Sequence, residues 1–236
     1  MLPTFPSEIS SYVDRTSGLE VRQLTAHKCH SHHLYFTNPG WFDGGRRLLF
    51  GSDRGNRTNL YSVHLESGAI TQHTNADMPS APHETSFLFA ALNPQRPEVY
   101  FWRGADLRAV DLLTGRERSL YHCPDQMMVN MLNVSADGRF ICTATFEDLS
   151  KKFKVDLLHG YVGFREYWSA KPLSLLLAIP VDGGPAREIF RENYWIGHVN
   201  TSPTQPNILS FCHEGPWDEV DNRIWGCDMA TGKVWP

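Results

Sequence analysis

RRLLFGSDRGNRTNLYSVHLESGAITQHT, residues 46–74, reads as strand, polar turn, strand, tight turn, strand. Leu48-Leu49-Phe50 is a short apolar run of the kind a strand packed on both faces shows. The stretch 52–58 is a polar turn, and Asn59–Leu65 is the second run. Ser67-Gly68 is hairpin chemistry, because glycine reaches positive φ without a Cβ clash. The same grammar returns three more times, each unit closing on a glycine: Gly68, Gly115, Gly184 and Gly232. The first and last spacings are 47 and 48 residues; the middle one, 69, contains an insertion. A period in the forties with several strands per repeat is the signature of a β-propeller blade. The expected fold is therefore all-β, a propeller of four-stranded antiparallel blades. A β-sandwich also has short strands and turns, but no fixed period.

Outward from that stretch, residues 1–18 read as an N-terminal extension and 19–236 as a partial propeller. Its units fall at about 30–74, 86–122, 128–192 and 196–236, with the insertion at 149–172. In the first two units the opening strands are expected at 33–38 and 86–93. The last unit ends in a stub, KVWP. Other turns are chemically suited to hairpins: Asp43-Gly44-Gly45, Asp137-Gly138 and Asp182-Gly183-Gly184.

Composition narrows the classes. With 41% hydrophobic and 20% charged residues the chain is ordinary for a globular domain. A net charge of −4 leaves no bulk electrostatic footprint for nucleic acid. No apolar run approaches the roughly 20 residues a membrane helix needs. Five cysteines, Cys29, Cys123, Cys142, Cys212 and Cys227, are odd in number, with no C-x-x-C pair. Reduced thiols and a cytoplasmic location are the default expectation.

Propeller geometry sends the loops between second and third strands, and those opening each blade, to one face. Arg54, Arg57, Arg103, Arg223 and the insertion's lysines are expected there, with His30, His32, His33, His83, His198 and His213. A basic, imidazole-rich mouth suits a small anionic ligand, because local field outweighs distant net charge. Aromatic rings of the insertion (Phe153, Tyr161, Phe164, Tyr167 and Trp168) would suit a sugar face. The cluster His27, His30, His32 and His33 reads as core or supporting histidine ahead of metal ligand. Cys212 reads as a buried apolar thiol. Asp218, Glu219 and Asp221 read as turn-formers and partners of Arg223.

The stretches SHHLYFTNPGWFDGGRRLLFGSDRG (31–55), NYWIGHVNTSP (193–203) and FCHEGPWDEVDNRIW (211–225) resemble the oligogalacturonate lyases of pectin breakdown. The resemblance runs from Leu19 to Trp225, and F-C-H-E-G-P followed by D-x-V-D-x-R-x-W is its most specific piece. It implies a seven-bladed cytoplasmic propeller that cleaves short oligogalacturonides by β-elimination with a divalent metal, typically manganese. It implies a catalytic role for Arg223, and it places His198, His213 and Glu214 in matching motifs. With His30, His32, Arg54 and Arg57 of the mouth, these are the expected substrate contacts. The family's metal ligands and catalytic histidine come from later blades, so no metal ligand and no general base is assigned in this chain. Four units cannot close a seven-bladed ring. The chain alone is thus expected to be inactive and to self-associate through open blade flanks that leave apolar faces uncovered. The alternative is a non-catalytic propeller fragment that binds acidic oligosaccharide or a protein partner.

Overall fold

The computed structural model describes residues 2–76, 87–156 and 160–236. Its strands in chain order are β1 (Thr4–Phe5), β2 (Ser10–Val13), β3 (Glu20–Gln23), β4 (Ser31–His32), β5 (Trp41–Phe42), β6 (Arg47–Ser52), β7 (Asn59–His64) and β8 (Ile70–Gln72). Next come β9 (Ala91–Leu92), β10 (Glu98–Arg103), β11 (Asp106–Asp111) and β12 (Glu117–His122). They are followed by β13 (Met127–Val134), β14 (Phe140–Glu147), a short helix α1 (Phe164–Ser169), β15 (Leu173–Pro180) and β16 (Arg187–Asn193). The last four are β17 (Ile196–Thr201), β18 (Ile208–His213), β19 (Ile224–Asp228) and β20 (Lys233–Trp235).

These strands form four main sheets. The first runs β1-β8-β7-β6-β4, with β5 also paired to β6. The others are four-stranded and sequential: β9 to β12, β13 to β16, and β17 to β20. β2 and β3 make a separate hairpin. The all-β blade pattern is thus the expected one. The closing turns of the first, second and fourth units are one recurring loop. Gly68, Gly115 and Gly232 have φ of 73, 73 and 70°, and each amide donates to the carbonyl four residues back, at 2.7 to 2.8 Å. The third unit closes differently, with Gly183 and Gly184 at φ 90 and 117°.

Several details depart from the sequence reading. The stub KVWP is a strand: Lys233–Trp235 pairs with β19 and completes the fourth sheet. The opening strands expected at 33–38 and 86–93 shrink to Ser31–His32 with Trp41–Phe42, and to Ala91–Leu92. Pro39 and Gly40 interrupt the first of these, and Tyr35 gives its amide to the Leu88 carbonyl at 2.6 Å instead of to a ladder. Residues 1–18 supply β1 and β2, so they are built into the sheets.

Two compact units divide the chain: Met1–Leu92 with Pro97–Val99 and Val110–Arg118, and Asn93–Arg96 with Tyr100–Ala109 and Ser119–Pro236. In the first, Phe50, Tyr61, Val63 and Ile70 form a core closed by Phe5, Ile9 and Leu24 from the N-terminal segment. One flank expected to be open is therefore covered. In the second, alternating residues of β14 and β15 (Cys142, Ala144, Leu176, Ala178) meet alternating residues of β18 and β19 (Leu209, Phe211, Cys227). That is face-to-face stacking of two blades, with the Phe190 and Phe211 rings stacked at 5.9 Å. Burying a side chain such as Phe211 contributes roughly 1.5–3 kcal/mol.

The insertion packs down onto the third sheet. Phe146, Leu149, Tyr167 and Trp195 form its core, with Phe153, Phe164 and Trp168 against it. The Tyr167 hydroxyl donates to the Glu147 carbonyl. Three of its aromatics, Phe153, Phe164 and Tyr167, are thus spent on packing, and Trp168 only partly.

Candidate functional site

β17 opens the fourth sheet with an irregularity. The pairing with β18 breaks register between Gly197 and Asn200. His198 sits inside that break at φ 47°, a left-handed conformation that costs a non-glycine residue of order 1–3 kcal/mol. The break turns its imidazole towards Glu214: His198 Nε2 lies 3.0 Å from Glu214 Oε1. Gly197 is required beside it, because a Cβ there would stand 2.6 Å from the same carboxylate oxygen.

β18 ends in Cys212-His213, and Glu214 follows, its amide bound to the Trp195 carbonyl at 2.8 Å. Cys212 and Glu214 lie two residues apart and so point to one side. The Cys212 thiol donates to Glu214 Oε1 at 3.0 Å. The other oxygen, Oε2, accepts from Arg223 Nη2 at 2.9 Å. Arg223 Nη1 donates to the His213 carbonyl at 3.1 Å, and its guanidinium lies 5.4 Å from the Trp217 ring centroid. Glu214 is only 8% exposed. Burial works against its charge, but hydrogen bonds from His198 and Cys212 and the Arg223 charge hold its pKa below the usual carboxylate value. Burial, and then the neighbouring carboxylate, push the Cys212 thiol up.

The other face of β18 carries His213, which is fully enclosed. Its ring stacks on Tyr194 at 3.9 Å and 17°, with Trp225 at 4.9 Å. Nδ1 is 2.8 Å from Asp221 and Nε2 is 3.1 Å from Glu192. Both ring nitrogens are engaged, so His213 is a strut for the Arg223 loop. Expected as a substrate contact, it lies enclosed beneath the loop, with neither nitrogen facing outward. The acidic loop does form a turn, with the Glu219 and Val220 amides on the Pro216 carbonyl, but its carboxylates go elsewhere: Asp221 to His213 and Glu219 to Arg165, while Glu214 holds Arg223. Beside this arrangement Trp168 Nε1 donates to the Tyr194 hydroxyl at 3.1 Å, and Lys171 Nζ sits 3.8 Å from the Tyr194 ring centroid. Trp217 is 84% exposed and offers a flat indole face next to the Arg223 cation.

The remaining expected residues belong to the first unit. Arg54 is buried at 7% exposure, bidentate on Glu8 at 2.5 and 3.2 Å, and packed between Phe5 and Tyr61. Its charge is paired internally with Glu8, 46 residues earlier, in a segment read as an extension. His30 is exposed, with its amide on Asp53 at 2.7 Å and its ring 3.7 Å from the same carboxylate. The His32 ring lies against Gly51, and Arg57 is exposed. His83 falls outside the described residues.

The structure therefore brings together His198, Cys212, Glu214 and Arg223, with His213 beneath. Among the described residues, His198, Cys212 and Glu214 are the one group of three whose ligand atoms converge closely enough to hold a metal ion. A thiol makes that set poorly suited to manganese, which favours carboxylate, carbonyl and water oxygens.

Comparison with known proteins follows the same line. A family model described as oligogalacturonate lyase matches residues 4–233. The chain is 30% identical to an oligogalacturonide lyase of Pectobacterium atrosepticum over 221 residues, 93% of this chain and 55% of that protein. It is 30% identical to an oligogalacturonate lyase of Dickeya dadantii over 216 residues, 91% of this chain and 53% of that one. A solved oligogalacturonate lyase in complex with manganese superposes with a TM-score of 0.86 at 24% identity, covering 99% of this chain and 60% of its own. The chain spans about half the length of the curated relatives it matches.

Proposed function

Because this chain belongs to the oligogalacturonate lyase family, we propose that it carries the arginine face of a site for β-elimination on short oligogalacturonides in pectin breakdown. The observation that carries this reading is Arg223, held by the Glu214 carboxylate and the His213 carbonyl beside the exposed Trp217 indole. Abstraction of the proton α to a uronate carboxylate builds negative charge on that carboxylate. A fixed cation lowers the barrier if it is already oriented when the charge appears. Arg223 is so oriented, and its planar donors match a carboxylate. Trp217 supplies an apolar surface for the sugar ring. His198, partly exposed beside Glu214, is a further substrate contact.

A bound divalent metal would share in neutralising the uronate charge. Manganese is the metal of the solved relative, and we place its ligands in the part of the relatives' length that this chain does not span. The general base is placed there as well. Five free cysteines support a reducing, cytoplasmic setting. Exposed Ile224 and Trp235 on the last two strands support self-association of the chain made alone, which sedimentation would detect.

The test is the ultraviolet absorbance of unsaturated product from trigalacturonate with added manganese. The 236-residue chain is expected to give none, and robust turnover would refute that part. In a version extended to the relatives' full length, Arg223→Ala is expected to lower kcat tens-fold or more. Wild-type rates would remove Arg223 from the reaction. A second reading is binding of acidic oligosaccharide without turnover, with Arg223 and the exposed Trp217 face as its contacts. Trigalacturonate binding to the chain without product would support it.

A further inference from the structure

We propose that His198, Cys212 and Glu214 form a binding site for a thiophilic divalent cation of the zinc class, distinct in chemistry from manganese. The three ligand atoms, imidazole Nε2, thiol Sγ and a carboxylate oxygen, all lie within 4.8 Å of one another. Glu214 Oε1 is the shared vertex, 3.0 Å from each of the other two. A tetrahedral zinc with bonds of about 2.0–2.3 Å holds its ligand atoms about 3.3–3.6 Å apart. The two edges at Glu214 therefore need to open by only a few tenths of an ångström when the protons now between the atoms leave, while the edge between His198 and Cys212, within 4.8 Å, settles to the same spacing.

Three features suit the ligands to this task. The left-handed backbone at His198 and the register break aim the imidazole inward. Gly197 leaves the space that the carboxylate occupies. Arg223 fixes Glu214 through Oε2, so Oε1 stays available to an ion while the carboxylate is oriented by a second partner. The His198 side chain is 39% exposed, which gives an ion a way in and leaves a fourth position for water. On binding, Cys212 Sγ loses its proton to solvent and forms the metal–sulfur bond. His198 binds as neutral imidazole, and no electron transfer is involved. Nitrogen, sulfur and oxygen donors together select zinc or cobalt over manganese.

The proposal does not rest on the lyase reading, and a catalytically silent chain would leave its readout untouched. The probe is Co²⁺ titrated into the reduced 236-residue chain. A thiolate-to-cobalt charge-transfer band in the near ultraviolet is expected, displaced by equimolar Zn²⁺ and not by equimolar Mn²⁺. Cys212→Ser should abolish the band. Cys29→Ser, which removes the one other thiol that is not fully buried, should leave it unchanged. His198→Gln should weaken cobalt affinity tenfold or more. Circular dichroism checks that each variant folds. If Cys212→Ser does not fold, the partly exposed His198 position decides, and unchanged affinity there overturns the site. No band with excess cobalt, a band that survives Cys212→Ser, or displacement by manganese also overturns it; two hydrogen bonds to Glu214 would then be the whole account of these contacts.

Discussion

Glu8→Ala is expected to destabilise the first compact unit by about 3 kcal/mol, the low end of the usual cost of removing one partner from a buried ion pair, because Glu8 itself is only partly buried. Arg54 would be left as a buried guanidinium between Phe5 and Tyr61 with its carboxylate gone. The Ala26 and His27 amides would also lose their acceptor. Glu8→Gln keeps an acceptor and loses the charge, so it should fall between the two. Urea denaturation, with hydrogen exchange at the β7 and β8 amides, reads the effect. The result separates two roles for Arg54. A ligand-binding cation would survive Glu8→Ala with stability unchanged, and that outcome would return Arg54 to the candidate site. The pair also has a pH signature. The Arg54 hydrogen bond holds the Glu8 carboxyl down to about 2, against an ordinary 4.5. Its contribution is complete above about pH 4.5 and is lost as pH falls towards 2.

Acidification should weaken the same unit earlier, through His73. This imidazole is buried, with Nε2 on the Ser62 hydroxyl at 2.8 Å. Burial first, and then the Arg47 charge, push its pKa down to about 4 from an ordinary 6.5. The unfolded chain binds a proton that the folded one resists, so stability rises with pH through this window. The contribution is present above about pH 6.5 and is lost as pH falls to 4. The expected size is about 3 kcal/mol, at 1.36 kcal/mol for each pKa unit. Denaturation midpoints between pH 7 and pH 4.5 isolate it, because Glu8 releases its share only below that range. His73→Gln should flatten the slope. A wild-type midpoint constant over the window would show that His73 is open to water.

The blade pattern was readable in the chain because it depends on local facts. Glycine turns at Gly68, Gly115 and Gly232 recur in one geometry, and the apolar runs of β6, β10 and β14 announce strands covered on both sides. The site was readable only where its members sit in a short motif. His213, Glu214 and Arg223 lie within a dozen residues, and the fold keeps them together. Their roles were not readable. Which of two adjacent residues faces the guanidinium is settled by strand alternation and by Gly197, on the neighbouring strand. The pairing of Cys212 with Glu214 could have been found by the two-residue spacing alone. Glu8 with Arg54, and Glu192 with His213, join positions far apart in sequence, and nothing local marks either carboxylate as a partner. KVWP looked like a remnant because four residues carry no periodicity; pairing with β19 makes it a strand.

The chain's first eight residues do two jobs at once. Thr4–Phe5 seals the rim of the first sheet by pairing with β8, and Glu8 reaches the loop after β6. Trimming the start, or a bulky fusion that pulls it away, would undo both restraints in a single step. Recombinant versions begun a few codons late should therefore behave as though mutated deep inside the protein.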